Sequence, residues 1–288
     1  MTKGLEVKCH AKINLFLKLV GKRSDHYHEL ESLFAFLDLS DELSVERYDK
    51  FKLKIDGEFA AFVDHKNNLL TKILDFFSVE FGKKNPDIKN LNIKLTKNIP
   101  VGAGLGGGSS NAACFMKLLN HIFSLNLAKE DLQEISLNFG SDIPFFFEDQ
   151  ASIIKGRGEI IRTYPKFFPI HILLINPRIH LPTKEVFLNF DGNFSSQIPT
   201  EELLKIDVLD LIKNFPNDLT ESAISIASDI KVILEELKNY SEIIKMSGSG
   251  ASCFAVLNSE SEAELAVHKI TKKFPNFFIK KAKVLSCA

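Results

Sequence analysis

The run Pro100-Val101-Gly102-Ala103-Gly104-Leu105-Gly106-Gly107-Gly108-Ser109-Ser110-Asn111-Ala112-Ala113 constrains this chain more than any other stretch. Glycine fills five of the seven positions from Gly102 to Gly108. It frees the backbone to take positive φ and to bring N–H groups close to another polar surface. Donors arranged in this way can ring an anion. Ser109, Ser110 and Asn111 are residue types that favour helix N-caps, and Ala112 to Ile122 reads as a largely buried helix. A helix N-terminus then points at the loop, where its unpaired N–H groups and positive dipole end favour phosphate. The two hydroxyls add hydrogen bonds or hold a magnesium ion. A plain strand-to-helix turn needs fewer glycines.

Two phosphate motifs compete for the run. Walker A requires a lysine between the glycines and the hydroxyl residue, whereas Gly108 is followed directly by Ser109. Gly102, Gly104 and Gly107 satisfy the Gly-x-Gly-x-x-Gly dinucleotide pattern after a strand-like Leu91 to Leu95. That fold should continue into a buried strand ending in an acid about 20 residues on. Lys129 to Leu137 reads instead as amphipathic helix.

At 288 residues, two domains are expected. Lys and Arg number 36 against 37 Asp and Glu, which gives no support for a general nucleic-acid binder or a binder of anionic membranes. Cys9, Cys114, Cys253 and Cys287 are widely spaced and suggest neither a zinc site nor a disulfide framework. Lysines 3, 8, 12 and 18 interrupt the N-terminal apolar positions, and no apolar run approaches a membrane span, so a soluble cytoplasmic protein is expected.

Several polar residues stand where packing alone does not require them. Leu5 to Val20 predicts two extended pieces, and Lys12 and Asn14 share one strand face opposite Ile13, Leu15 and Leu17; a solvated face is the plain alternative. Turn chemistry explains Gly21, Ser24 and Asp25 but not His26, Tyr27 and His28, and two histidines supply too few ligands for a closed zinc site. Strands are predicted at Leu33 to Leu39, Leu43 to Glu46 and Phe51 to Ile55. Asn68 opens a helix to about Phe81, where a plain N-cap is an equal reading. A second helix is expected over Leu127 to Asn138. Asp142 is the sole carboxylate in a run that turns strongly apolar, which predicts burial with a purpose or a cap before Pro144. It could orient or deprotonate a substrate hydroxyl while Lys12 balances its charge, a pairing suited to phosphoryl transfer. A strand pair turning at Gly156 to Gly158 marks a domain boundary. His171 to Asn176 reads as a buried strand, Phe187 as substrate contact or core, and Glu201 to Phe215, Asp218 to Tyr240 and Ser261 to Phe274 as helices. Ile243 to Phe254 reads as strand, Ser-Gly turn and strand, and Phe278 to Leu285 as a last strand.

Ala11-Lys-Ile-Asn-Leu15, Asp25-His-Tyr-His28, the Gly-rich run, Gly140-Ser-Asp-Ile-Pro144 and Ser247-Gly-Ser-Gly250 occur in that order. Together they resemble the motifs of the GHMP kinase superfamily, in its branch acting on a cytidine diphosphate ester, and the likeness spans Lys12 to Phe254. The resemblance implies an α+β fold with the active site in the cleft between two domains. Residues 1–155 would form an ATP-binding domain like ribosomal protein S5 domain 2, and residues 156–288 a ferredoxin-like substrate domain. It implies ATP and Mg2+, and γ-phosphoryl transfer to a hydroxyl of the methylerythritol part of the ester, in non-mevalonate isoprenoid precursor synthesis. Lys12 and Asp142 would be catalytic. Asn14, Tyr27, His28, Thr183 and Phe187 would bind substrate, with Tyr27 and Phe187 on either side of the cytosine. Asn68, Lys97, the run Pro100 to Ser110 and Gly248 would bind ATP. His26 stands where the family usually has glycine. The other readings are a homoserine or mevalonate kinase, which the Tyr27 loop disfavours, a dinucleotide-dependent oxidoreductase, and a non-catalytic RNA-binding protein with the S5-like fold, which the balanced charge disfavours.

Overall fold

The first two strands are long and carry apolar residues on both faces. β1 spans Leu5–Lys22 and β2 spans His28–Arg47. Each replaces two predicted pieces by one continuous strand. In β2 the polar Ser40-Asp41 step looks like a break, yet Asp41 is fully buried and accepts the N–H groups of Asn98 (2.7 Å) and Ile99 (2.9 Å). A distant partner answers the carboxylate, so the strand runs on. The computed structural model describes residues 4–25, 27–64, 68–165 and 167–287. It divides into two compact units, each assembled from separate stretches of the chain.

One unit comprises Met1–Ala11, Leu39–Val101 and Gly107–Glu148. Here β3 (Lys52–Asp56) runs parallel to β4 (Leu91–Thr96), and β4 runs antiparallel to the later part of β2, with Leu43 opposite Leu95 and Val45 opposite Ile93. Helix α1 (Leu69–Phe81) buries Leu70, Ile73, Leu74 and Phe77, the spacing of one helical face. Each such side chain contributes about 1.5–3 kcal/mol of burial. α2 (Gly107–Ile122) follows the Gly-rich run, and α3 covers Lys129–Ser136. α3 starts two residues later than predicted because the Asp131 carboxylate accepts the Ala128 N–H at 2.8 Å and fixes the helix start there. A 3-10 turn at Ile143–Phe147 buries all five of its residues.

The other unit comprises Lys12–Asp38, Gly102–Gly106 and Asp149–Ala288. β5 (Ser152–Gly156) and β6 (Ile160–Thr163) form the predicted hairpin, and β5 pairs with the earlier part of β2. β7 (Ile170–Asn176) is antiparallel to two neighbours, β9 (Cys253–Leu257) and β10 (Phe278–Leu285), and β8 (Ile244–Met246) pairs with β9. Leu173 and Ile175 from β7 pack with Ile230 and Ile233 and with Ala266 and Ile270 in one apolar cluster. Short helices α4 (Thr183–Leu188), α5 (Thr200–Leu203), α6 (Val208–Asn214), α7 (Thr220–Ile226), α8 (Asp229–Leu237) and the longer α9 (Glu260–Lys273) complete the unit. The two long helices predicted at 201–215 and 218–240 are each split. Asp207 caps a new helix through Leu209 N–H (2.9 Å), and buried, extended Ala227 separates α7 from α8. Local capping outcompetes continuous propensity at the first break. Among the described residues no helix is long and apolar enough to cross a membrane.

Candidate active site

Three segments remote in sequence meet at the Gly-rich loop. Gly102, Gly104 and Gly106 have φ of 64°, 75° and 65°, the left-handed region that residues with a Cβ disfavour. Three successive carbonyls are anchored: Leu105 O accepts from Lys12 N (2.9 Å), Gly104 O from Ser247 Oγ (3.0 Å) and Ala103 O from Ser252 N (3.3 Å). Ser247 Oγ also accepts the Asn14 N–H at 3.1 Å, so one hydroxyl ties β1, the loop and the Ser-Gly turn. No described hydrogen bond draws on the N–H groups of residues 102–106. The contact between loop and turn is backbone to backbone. A Cβ on Gly104 would sit 2.2 Å from Ser247 O, and one on Gly248 (φ 56°) would sit 3.1 Å from Gly104 O. Asn217 holds the turn from behind, donating to Met246 O and Gly248 O at 2.8 Å each. In the sequence, Pro216-Asn217 signals only a helix break, and its tertiary role has no local signature.

Lys12 and Asn14 do share a face of β1, and that face is not solvated: they are 3% and 1% exposed. Lys12 Nζ donates to Asn14 Oδ1 (2.6 Å) and lies 4.3 Å from the centre of the Phe34 ring. Asn14 Nδ2 donates to Ser32 Oγ (3.0 Å), which in turn donates to Phe16 O. The amide can satisfy both neighbours in only one orientation, so the ammonium is held in a fixed place. Ser32, which enforces this, gives no sign of the role in the sequence.

The expected substrate residues gather in the same unit. Tyr27 is 53% exposed, with the Arg157 guanidinium 5.4 Å from its ring centre. The rings of His28 and Phe187 lie 5.4 Å apart, tilted by 34°. Burial and the charge of Lys22 hold His28 below its usual pKa of 6.5, so at neutral pH one ring nitrogen donates and the other accepts. Phe187 is half-buried and also packs on the apolar cluster. Thr183 shares a 3.0 Å hydroxyl contact with Ser249. His26 lies outside the described residues.

The remaining expected residues belong to the other unit. α2 begins at Gly107, five residues before the predicted Ala112, so Ser109, Ser110 and Asn111 sit inside its first turns rather than at the cap. A Cβ on Gly107 would meet Ile99 at 3.0 Å, so packing against this side chain asks for glycine where helix propensity does not. Lys97 is buried, and its Nζ donates to Asp41 and to Asn111 Oδ1 (2.9 Å), while Asn111 Nδ2 donates to Asp41 Oδ2 (3.0 Å). This closed triad braces the approach to Pro100 and the start of α2, and neither Asp41 nor Asn111 stands out in the sequence as its member. Asn68 caps α1, its Oδ1 accepting from Leu70 N at 2.8 Å. Asp142 precedes the 3-10 turn and is partly exposed rather than buried; its carboxylate accepts no capping hydrogen bond from that turn. The apolar run buries its phenylalanines and leaves the acid at the rim.

Residues 68–150 match the GHMP kinases N terminal domain and residues 201–276 match the GHMP kinases C terminal domain. The chain is 38% identical over 287 residues to 4-diphosphocytidyl-2-C-methyl-D-erythritol kinase of Ehrlichia chaffeensis (strain Arkansas), covering 97% of this chain and 98% of that one. It is 34% identical over 284 residues to the protein of the same name from Wolbachia pipientis wMel, covering 96% and 97%. A crystal structure of 4-(cytidine 5'-diphospho)-2C-methyl-D-erythritol kinase matches with a TM-score of 0.78 at 26% identity, over 96% of this chain and 99% of that one. With both domain signatures in order and relatives alike along nearly their whole length, this chain of mixed α/β, two-domain fold belongs to the GHMP kinases, which makes it an ATP-dependent small-molecule kinase.

Proposed function

We propose that this chain phosphorylates a hydroxyl of 4-diphosphocytidyl-2-C-methyl-D-erythritol with ATP, as its relatives' names describe, in non-mevalonate isoprenoid precursor synthesis. One observation carries the reading: Lys12–Asn14, Ala103–Leu105 and Ser247–Ser252 are bound to one another through the Leu105, Gly104 and Ala103 carbonyls. That anchoring leaves the N–H groups of a positive-φ glycine loop to receive phosphate oxygens, which is the fit expected of a nucleotide cradle. The first turn of α2, next in sequence, offers three more orphan donors at Gly107 to Ser109. ATP held there supplies the γ-phosphoryl group.

Among the described residues no cluster of three His, Cys, Asp or Glu side chains could hold a metal. Magnesium commonly takes its oxygens from substrate phosphates with few protein ligands; of the two hydroxyls at the start of α2, partly exposed Ser109 would join them more readily than buried Ser110. Asp142 accepts the proton of the attacking hydroxyl, and the ammonium of Lys12, fixed by Asn14, offsets the negative charge that develops. Tyr27 and Phe187 stack on the cytosine, neutral His28 reads its edge, and Thr183 meets the rest of the substrate. Lys97 and Asn68 support the nucleotide end from their buried triad and helix cap. The matched segments fall on either side of position 155, in keeping with an S5-like ATP-binding domain at 1–155 and a ferredoxin-like substrate domain at 156–288, with Lys12–Asp38 and Gly102–Gly106 of the former packed into the unit that contains Asp149–Ala288.

A coupled ADP-release assay with the cytidine ester, homoserine and mevalonate tests the reading, and preference for either smaller alcohol overturns it. In the same assay Asp142→Asn lowers turnover by roughly 10²- to 10⁴-fold at nearly unchanged ATP affinity, and Lys12→Met does comparable damage. Either residue loses its role if its variant keeps more than about a tenth of wild-type turnover.

A further inference from the structure

In the unit that contains Asp149–Ala288, Lys18, Glu31 and Lys155 carry charge into the interior and take no part in the chemistry above. Glu31 on β2 is fully buried, and the side chains of Lys18 on β1 and Lys155 on β5 are 6% and 11% exposed. The strand register sets Glu31 opposite Lys155. Lys155 Nζ lies 2.8 Å from Glu31 Oε1, and Lys18 Nζ lies 3.3 Å from Oε2. Removing ions from water is expensive, and apolar side chains of similar volume would hold the strands as well or better. What the charges reach is backbone with no helix or strand of its own. Ile198 N–H donates to both Glu31 oxygens (3.1 and 3.2 Å), Lys155 Nζ to Ile198 O (2.6 Å) and Lys18 Nζ to Ser196 O. Ser195 N–H adds a bond to Leu19 O at 2.8 Å.

The fastened residues end a strap, Asn189 to Pro199, whose other end carries rings. Phe190 meets His28 at 5.9 Å, edge to face, and Phe194 meets it at 6.2 Å, tilted by 44°. Between them Gly192 turns the chain at φ 86°, and Asp191 Oδ1 receives the Asn193 N–H at 2.9 Å. Cytosine and uracil exchange donor for acceptor along their edges, and an imidazole that flips carries both of its nitrogens to where ring carbons stood, off the base edge. A histidine therefore separates the two bases only when its ring is prevented from turning.

We propose that this strap sets base specificity: the Lys18–Glu31–Lys155 clasp fixes it, and Phe190 and Phe194 hold the His28 ring in the orientation that selects cytidine over uridine substrates. They are positioning residues, and the inference rests on the assignment of Tyr27, His28 and Phe187 to the base. The test is steady-state kinetics with cytidine and uridine diphosphate esters. Phe194 is 42% exposed, so Phe194→Ala should fold. It raises KM for the cytidine ester roughly 3- to 10-fold, the worth of one or two ring contacts, with kcat within about twofold, and narrows the preference for cytidine. Phe194→Tyr restores it. Lys155→Met also narrows the preference and opens the strap to chymotrypsin-type cleavage at Phe190 and Phe194; if that variant does not fold, Phe190→Ala takes its place in the kinetics. Wild-type preference in the strap variants, with preference lost in His28→Ala, overturns the strap alone. Preference retained in His28→Ala overturns the base assignment and the strap with it.

Discussion

Gly104→Ala is the sharpest perturbation of the loop, because the new methyl carbon has nowhere to go. It would sit 2.2 Å from Ser247 O and 3.0 Å from Gly250 O, both of them backbone atoms. Reaching even 3.0 Å requires a shift of about 0.8 Å, and the carbonyl in the way belongs to the turn that anchors the loop through Ser247 Oγ. Alanine at φ 75° adds about 1–2 kcal/mol of backbone strain. A displacement near 1 Å at a reacting centre costs about 100-fold in rate. Gly104→Ala is therefore expected to lose at least about 100-fold in kcat/KM, with Tm lower by about 5 °C or more. Two neighbours serve as controls. Gly102→Ala bears the same strain, but its methyl meets only the exposed His180 ring, at 3.0 Å, and this side chain can swing aside; the rate loss should be clearly smaller. Gly108→Ala finds Leu69 at 3.8 Å within a helix and should gain up to about 1 kcal/mol of stability from helix propensity. ADP-release kinetics and thermal melts on the three proteins decide the matter. Gly104→Ala activity within about threefold of wild type, or a Gly102→Ala loss as large as that of Gly104→Ala, would refute the steric argument.

Asp41→Ala leaves the ammonium of buried Lys97 without its carboxylate, and removing one partner of a buried pair costs about 3–5 kcal/mol; urea melts should show that loss, and a change under about 1 kcal/mol would mean the triad is not the brace described. His28 titrates below 6.5 when folded, so the unfolded chain binds the extra proton first as pH falls. Its contribution to stability is complete above pH 6.5 and is lost as pH drops through the lowered folded pKa. The fall in Tm between pH 7.5 and 5 should accordingly be smaller in His28→Gln than in wild type, and Lys22→Ala should move the imidazole pKa upward in an NMR titration; an unmoved pKa would remove Lys22 as a cause.

Much of the chemistry was legible before any fold. Glycine density, the absence of a lysine before Ser109 and the order of the polar motifs depend on residue type and spacing alone, and these are what a phosphate loop requires of its backbone. Elements with a strong local signal were equally plain: α1 from its start at Asn68, the β5–β6 hairpin from its glycines, and α9 as the helix expected over Ser261 to Phe274. Tertiary partners decided the rest. Asp41 looks like a strand break until Asn98, Ile99 and Lys97 answer it, and the tight site at Gly107, where a Cβ would meet Ile99 at 3.0 Å, has no local signature. The bonds from Asn217 to Met246 and Gly248, and from Ser247 to Gly104, form only when residues more than 25 positions away arrive. The burial of Lys12 and the clasp at Glu31 follow the same rule: a sequence displays a charged residue, and only the folded chain shows which distant backbone or side chain makes its burial affordable.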